Sequence, residues 1–447
     1  MMMSAAPASG GSNPAARRMA ARRAAASNAN KPKLFRPPQS FGRDARNHPR
    51  ARVLQKTRQR GGEKYPVRPM IYFDYNATAP VMREAREAWL HVTEKIDGNP
   101  SSMHQAGSRA SLALANARER LAELLGCHPL DIIWTSGATE ANNTVMHHFA
   151  KRLAPTEPVW ISAIEHPCID DSSKHYFGKR AKTIPVTHDG VVDMEWLTAE
   201  LADARPGLVA VMAANNETGV LQPWREILAI CQAYDVPFFT DAVQYIGKMP
   251  GKGLGDCDYV SGAAHKFGGP RGVGFLKIPH RKAITPLLLG GKQEGGRRAG
   301  TENVATIAAL VAALEVREKQ IARSEHLLRK LWRDNFEAQL LRALPGASII
   351  GHNVPRLWNT VSALMPDGDR KLQWVIRLDK AGFAVSTGSA CTTGKEEPSH
   401  VLSAMGYKST HAVRAVRMSA GWETTEGDWD ALLKAVVKVH GEMQHKG

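Results

Sequence analysis

Two nucleophiles stand out by their settings. In GAAHKFGGPRGVGF (262–275), His265 and Lys266 close an apolar run and enter a Gly/Pro-rich turn; in TGSACTTGKEEPSH (387–400), Cys391 sits among small and hydroxyl-bearing residues. A lysine at the mouth of a strand can lose its proton through desolvation and attack a carbonyl. Around Cys391, the residues Gly388, Ser389, Thr392, Thr393 and Gly394 favour a loop over a packed strand or helix. Composition alone leaves that thiol either incidental or reactive.

Four further stretches carry groups of the right kind. TSGATEANN (135–143) runs from a strand end through Gly137 into a helix start, where exposed N–H groups and the positive end of the helix dipole suit a phosphate. The same residue types are ordinary caps. AIEHPCID (163–170) puts His166 just past a strand, although a lone histidine is more often structural. FFTDAVQ (238–244) ends an apolar strand on Asp241, with Gln244 three residues on; that carboxylate can pair with a protonated ring nitrogen or cap the next helix. GGKQEGGRRAGTEN (290–303) offers glycines, two arginines and Thr301 to an anionic group.

These groups need a scaffold, and the periodicity supplies one. Leu114, Ala117, Leu121, Leu124 and Leu125 share a face of a helix over 104–125. Strand-like runs follow at 131–135, 159–163, 208–214, 236–242, 258–264 and 272–278, with helical segments after Gly137, near 221–234 and over 301–338. Strands alternating with helices predict an α/β fold with a mostly parallel sheet flanked by helices, the site lying at the strand ends. From about residue 325 the rhythm changes, predicting a smaller α+β domain. The expected organisation is a basic, disordered extension over 1–69, a segment 70–82 packing with the small domain, a large domain over 83–322, and a small domain over 323–447 that carries the cysteine loop. Pro398 and the run after it predict a helix start at the loop's far end.

The charge of +16 is concentrated at one end: residues 1–68 hold sixteen Lys/Arg against Asp44 and Glu63, a net +14. A segment so basic, so rich in Ala, Ser, Pro and Gly, buries too little apolar surface to offset its ordering entropy. It reads as an organellar transit peptide, a nucleic-acid-binding arm or a dispensable extension, and no apolar h-region marks a secretory signal. The longest nearly unbroken apolar run, VATIAALVAAL (304–314), is too short to span a membrane. Five cysteines with no CxxC pair argue against a disulfide framework or a zinc cluster, and for a reducing compartment.

Taken in order, and together with YFDYNATAP (72–80), GNPSSMHQAG (98–107), MAANNETGVLQP (212–223) and RMSAGWETTE (417–426), these stretches resemble the NifS/IscS-like cysteine desulfurases. These are relatives of the class V aminotransferases with the fold type I of pyridoxal-phosphate enzymes, and the resemblance covers nearly everything after residue 70. It implies that Lys266 holds pyridoxal 5'-phosphate as an imine and that Asp241 pairs with its ring nitrogen, keeping the ring an electron sink. His166 would stack on the ring, Asn216 and Gln244 would bond around its phenolic oxygen, and Ala138, Thr139 and His265 would bind the phosphate. Thr301 would reach the phosphate of a second subunit, making a homodimer, and Arg417 would clamp the substrate carboxylate. One position departs from the family, which usually has serine where Ala263 stands; Ser261 is not expected to replace it.

The same resemblance places Cys391 at the persulfide-carrying position of members with a long mobile loop. L-cysteine would displace Lys266, the freed amine would take the Cα proton, and the Cys391 thiolate would attack the substrate sulfur, leaving L-alanine. Sulfur would then pass to an acceptor protein for iron–sulfur cluster assembly or for tRNA or cofactor thiolation. No resident metal is implied, only a transient iron–sulfur contact at Cys391. The competing readings are a selenocysteine lyase, a sulfinate-removing enzyme or an aminotransferase of the same fold, and a non-catalytic scaffold of the sulfur machinery. Nucleic acid would be met only through the basic extension. The expected compartment is bacterial cytoplasm, with the mitochondrial matrix as the alternative.

Overall fold

The computed structural model describes residues 70–366, 371–387 and 399–444, all within the compact unit Gln59–Gly447. The basic extension 1–69 and the segment 388–398, with Cys391 and Pro398, lie outside the described residues.

The strands are β1 (Ile71–Tyr72), β2 (Ile132–Thr135), β3 (Val159–Ser162), β4 (Ala181–Ile184), β5 (Leu208–Ala210), β6 (Phe238–Asp241), β7 (Tyr259–Ala263), β8 (Gly274–Lys277), β9 (Ser348–Ile349), β10 (Thr360–Leu364), β11 (Phe383–Ala384) and β12 (Ala415–Ser419). The helices are α1 (Arg83–Lys95), α2 (Gln105–Leu125), α3 (Ala138–Arg152), α4 (Pro167–Phe177), α5 (Met194–Asp203), α6 (Trp224–Ala233), α7 (Val304–Ala322), α8 (Glu325–Ala343), α9 (Lys371–Lys380), α10 (His400–Ala404), α11 (Ser409–Ala412) and α12 (Glu426–Gln444).

Seven strands form the main sheet in the order β2-β8-β7-β6-β5-β3-β4, parallel throughout except for β8, which runs antiparallel to both neighbours. Its inner strands are buried on both faces, which is why they read as continuous apolar runs rather than alternating ones. Successive side chains still part company. Phe238 joins Trp134, Trp160 and Leu121 in the core on one face, and Phe239 joins Val145, Phe149 and Tyr259 on the other. A smaller antiparallel sheet, β12-β10-β9, packs with Phe336, Trp374 and Trp429. Phe73, next to β1, enters that same core and meets Trp429 edge-on at 4.7 Å between ring centroids.

The fold is the predicted α/β architecture, with local departures. The run 208–214 is strand only to Ala210, but the chain still follows β6 beyond it: Val211 N donates to Phe239 O and Ala213 N to Asp241 O. The segment 301–338 is two helices, α7 and α8, broken at Ser324, whose φ of 58° is left-handed; no glycine or proline announces that break. Strand β4 is half-exposed and lacks the apolar pattern that would reveal it. Among the described residues no helix is long and apolar enough to cross a membrane.

Candidate active site

The parallel strands deliver their C-terminal ends to one edge of the sheet, and there the chain leaves a cavity of about 1000 Å³. Strand β6 ends on Asp241, β7 runs into the turn Ala264–Lys266, and the junctions β2–α3 and β3–α4 bring Thr139 and His166. Gly274 makes the close packing possible. A Cβ there would stand 2.5 Å from Gly262 O and 2.8 Å from the Cα of Gly137, the residue that opens α3.

Lys266 projects its amine onto the YFDYNATAP segment, donating to Asn76 O at 2.7 Å and Ala77 O at 3.0 Å. Burial, reinforced by the Arg417 guanidinium, lowers its pKa to about 8, against the opposing pull of Asp241 and Asp74. Near neutrality a useful fraction is therefore unprotonated. Arg417, on β12, is tethered through Nη1 to Asn216 O at 2.9 Å and through Nη2 to Asp74 Oδ1 at 2.7 Å, so its planar fork reaches the cavity in a fixed orientation.

The Asp241 carboxylate accepts from Asn142 Nδ2 at 2.7 Å and from Val243 N at 2.9 Å. Asn142 Nδ2 also donates to Cys168 Sγ at 3.1 Å, and Cys168 Sγ lies 3.0 Å from His166 Nδ1. His166 caps α4, with Nδ1 accepting from Cys168 N. Desolvation in the cleft dominates and holds its imidazole below the ordinary histidine range, although Asp241 pulls the other way. Its ring is thus neutral and suited to lie against a planar group. Burial, aided by Asp241, pushes the Cys168 thiol up to about 12, so it is an inert thiol near neutrality.

The opposite end of the cavity suits an anion. Helix α3 starts after Gly137 with no side chain capping it, so first-turn N–H groups at Ala138 and Thr139 point their dipole end at the space they line. Glu140 is kept out of competition: its carboxylate takes Ser136 N at 2.8 Å and is gripped by Arg298 through Nε at 2.9 Å and Nη2 at 3.2 Å. His265 lies there too, its Nδ1 3.2 Å from Thr78 Oγ1, and burial lowers its pKa to about 4.

Of the residues singled out from sequence, Ala138, Thr139, His166, Asn216, Asp241, Gln244, His265, Lys266 and Arg417 all line this cavity. Thr301 does not; it is exposed, outside the cavity of its own chain. Ala263 lines the cavity, whereas Ser261 does not; it is fully buried, its hydroxyl unpartnered among the described residues. Cys391 falls outside the described residues, but Ser386 before that segment and Ser399 and His400 after it line the cavity. The sequence assigns no role to Asn76, Asn142 or Lys248, which brace Lys266, Asp241 and Gln244. The first two sit inside conspicuous motifs; Lys248, four residues after Gln244, carries no signal. The His128–Asp131–His280 group lies outside this cavity, where His128 Nδ1 already accepts from Leu130 N.

The donor set fits pyridoxal phosphate. An uncapped helix start would receive a phosphate, a carboxylate at the end of β6 would pair with a ring nitrogen, and a lysine of lowered pKa and a tethered arginine line the same cavity.

A family model described as aminotransferase class-V matches residues 71–432. A curated relative from Cereibacter sphaeroides, named cysteine desulfurase, is 36% identical over 379 residues, spanning 84% of this chain and 96% of its own length. The crystal structure of a NifS-like protein from Rickettsia africae superposes with a TM-score of 0.75 at 33% identity, covering 83% of this chain and 99% of that one. A structure titled SspA in complex with cysteine superposes with a TM-score of 0.67 at 28% identity, over 78% of this chain and 98% of that one.

Proposed function

The chain belongs to the aminotransferase class-V family, and we infer that it is a cysteine desulfurase, which takes the sulfur of L-cysteine, releases L-alanine and carries that sulfur as a persulfide on Cys391. The observation that carries this reading is the convergence of Lys266 and Arg417 on a cavity that the residues flanking 388–398 also line. Cys391 follows Ser386 by five positions, within about 17 Å of extended chain.

Pyridoxal phosphate, held by Lys266, supplies an electron sink for the charge left on the substrate when its Cα proton is removed. The chain's own residues do the rest. Ala138, Thr139 and His265 would hold the phosphate, Asp241 would keep the ring nitrogen protonated, His166 would cover one ring face, and Asn216 and Gln244 would bond around the phenolic oxygen. Arg417 fixes the substrate carboxylate, which orients the Cα proton toward the Lys266 amine. With a pKa near 8, that amine accepts the proton and later returns it. The Cys391 thiolate forms a bond to the substrate sulfur as the carbon–sulfur bond breaks, and the pair of electrons from that bond stays with the carbon skeleton that becomes alanine.

The exposed position of Thr301, close in sequence to exposed Leu288 and Leu289, supports a homodimer in which Thr301 reaches the partner's phosphate. The acceptor is a sulfur-carrier or scaffold protein serving iron–sulfur cluster assembly or thiolation, in a bacterial cytoplasm. Free Cys127, Cys168, Cys231 and Cys257 are in keeping with a reducing compartment.

The test is to add pyridoxal phosphate to purified protein, look for a visible absorption band, and assay alanine and sulfide from L-cysteine. A protein that stays colourless and inactive overturns the reading.

A further inference from the structure

Lys248 is 3% exposed, yet among the described residues no carboxylate bonds to its amine. Its two bonds go to amide oxygens: Gln244 Oε1 at 2.6 Å and Asn76 Oδ1 at 2.9 Å. The turn that carries it is clamped by two indoles, Trp358 Nε1 donating to Lys248 O and Trp422 Nε1 to Gly247 O, both at 2.9 Å. Placing a lysine amine there is costly, because burial and the nearby Lys266 and Arg417 charges all disfavour its protonated form.

In both bonds the Lys248 amine donates, so each amide turns its oxygen toward it and its NH2 away. Gln244 Nε2 accordingly donates to the Asn76 backbone carbonyl at 2.9 Å, and both residues line the cavity. Asn76 Nδ2 faces Asn216 O at 3.2 Å and Thr360 Oγ1 at 2.9 Å. The Asn76 carbonyl is also the acceptor of the Lys266 amine. Lys248 itself does not line the cavity.

We propose that Lys248 is a positioning residue that locks the orientation of the Gln244 side-chain amide, so that its NH2 is the group offered to the cofactor's phenolic oxygen, and that holds Asn76 where its carbonyl receives Lys266. This rests on the reading of the cavity as a pyridoxal-phosphate site. Without Lys248 the bond from Gln244 Nε2 to the Asn76 backbone carbonyl is what still opposes turning the amide over, and a turned amide would present its oxygen, which repels a phenolate.

The experiment is a double-mutant cycle on cofactor binding. Apo-protein of wild type, Lys248→Met, Gln244→Ala and the double variant is titrated with pyridoxal phosphate, recording the dissociation constant, the position of the visible band and the melting temperature of each. In the wild-type background Lys248→Met is expected to weaken binding roughly tenfold, the loss of about one hydrogen bond to a charged group. It should shift the band in the same direction as Gln244→Ala. In the Gln244→Ala background it should weaken binding less than about twofold, because the two residues act as one unit. Equal losses in both backgrounds, or unchanged binding and band in a folded Lys248→Met protein, overturn the proposal. Lys248→Gln is read the same way if the methionine variant does not fold, since its amide offers an oxygen as readily as an NH2. A wild-type protein that forms no Lys266-dependent band overturns the site reading itself, an outcome distinct from intact wild-type binding with no effect at Lys248.

Discussion

Asn142 donates its side-chain amide to the Asp241 carboxylate at 2.7 Å, and neither residue has room to move: Asn142 is fully buried and Asp241 is 6% exposed. The bond fixes the carboxylate at the end of β6, where a ring nitrogen would meet it. Asn142→Ala should therefore weaken pyridoxal-phosphate binding roughly tenfold, about the worth of one hydrogen bond to a charged group. Titration of the apo-protein measures this. Unchanged affinity would mean that Val243 N alone orients Asp241.

The Lys266 amine titrates near 8 rather than near 10.5 because it is buried beside Arg417. The unprotonated amine is the reactive form, so capture of pyridoxal phosphate by apo-protein should speed up as pH rises and level off above about 8. Since Arg417 lowers this pKa, Arg417→Gln should move the midpoint upward. Stopped-flow capture rates across pH give both midpoints, and coincident midpoints would remove Arg417 from the account.

Arg417→Lys keeps the charge and removes the planar fork that Asn216 O and Asp74 hold in place. The expected fall in kcat/KM for L-cysteine is on the order of tenfold or more, or about 1.5–3 kcal/mol. Steady-state kinetics with a melting-temperature control would show it; kinetics equal to wild type would argue against a bidentate carboxylate clamp.

Cys168 lines the same cavity, but its thiol is held up near 12 by burial and by Asp241. At neutral pH it should resist iodoacetamide in folded protein lacking Cys391, as read by peptide mass spectrometry. Rapid alkylation of Cys168 would mark it as a second candidate sulfur carrier.

The contrast between what sequence reveals here and what it hides has a physical basis. Strand-end groups such as Asp241, His166 and Lys266 each line the cavity; each has an ordinary structural reading alone, and they are legible only as an ordered series of motifs that resembles a family. The braces behind them are not. Asn76 joins residues 140 to 343 positions away, among them Asn216, Thr360 and Ser419, and no local pattern announces such contacts. Lys248 reads as an ordinary surface lysine after a turn until two tryptophans and two amides are folded around it. The break between α7 and α8 is hidden in the same way, because Ser324 adopts its left-handed conformation without a glycine.

The central claim is that Cys391 receives the sulfur, and Cys391→Ser tests it most directly. Wild type and variant, each loaded with pyridoxal phosphate, are given L-cysteine, and alanine and protein-bound persulfide are measured. The account predicts that the variant forms no persulfide at position 391 and that its alanine production falls on the order of a hundredfold or more. Alanine release at the wild-type rate would contradict it.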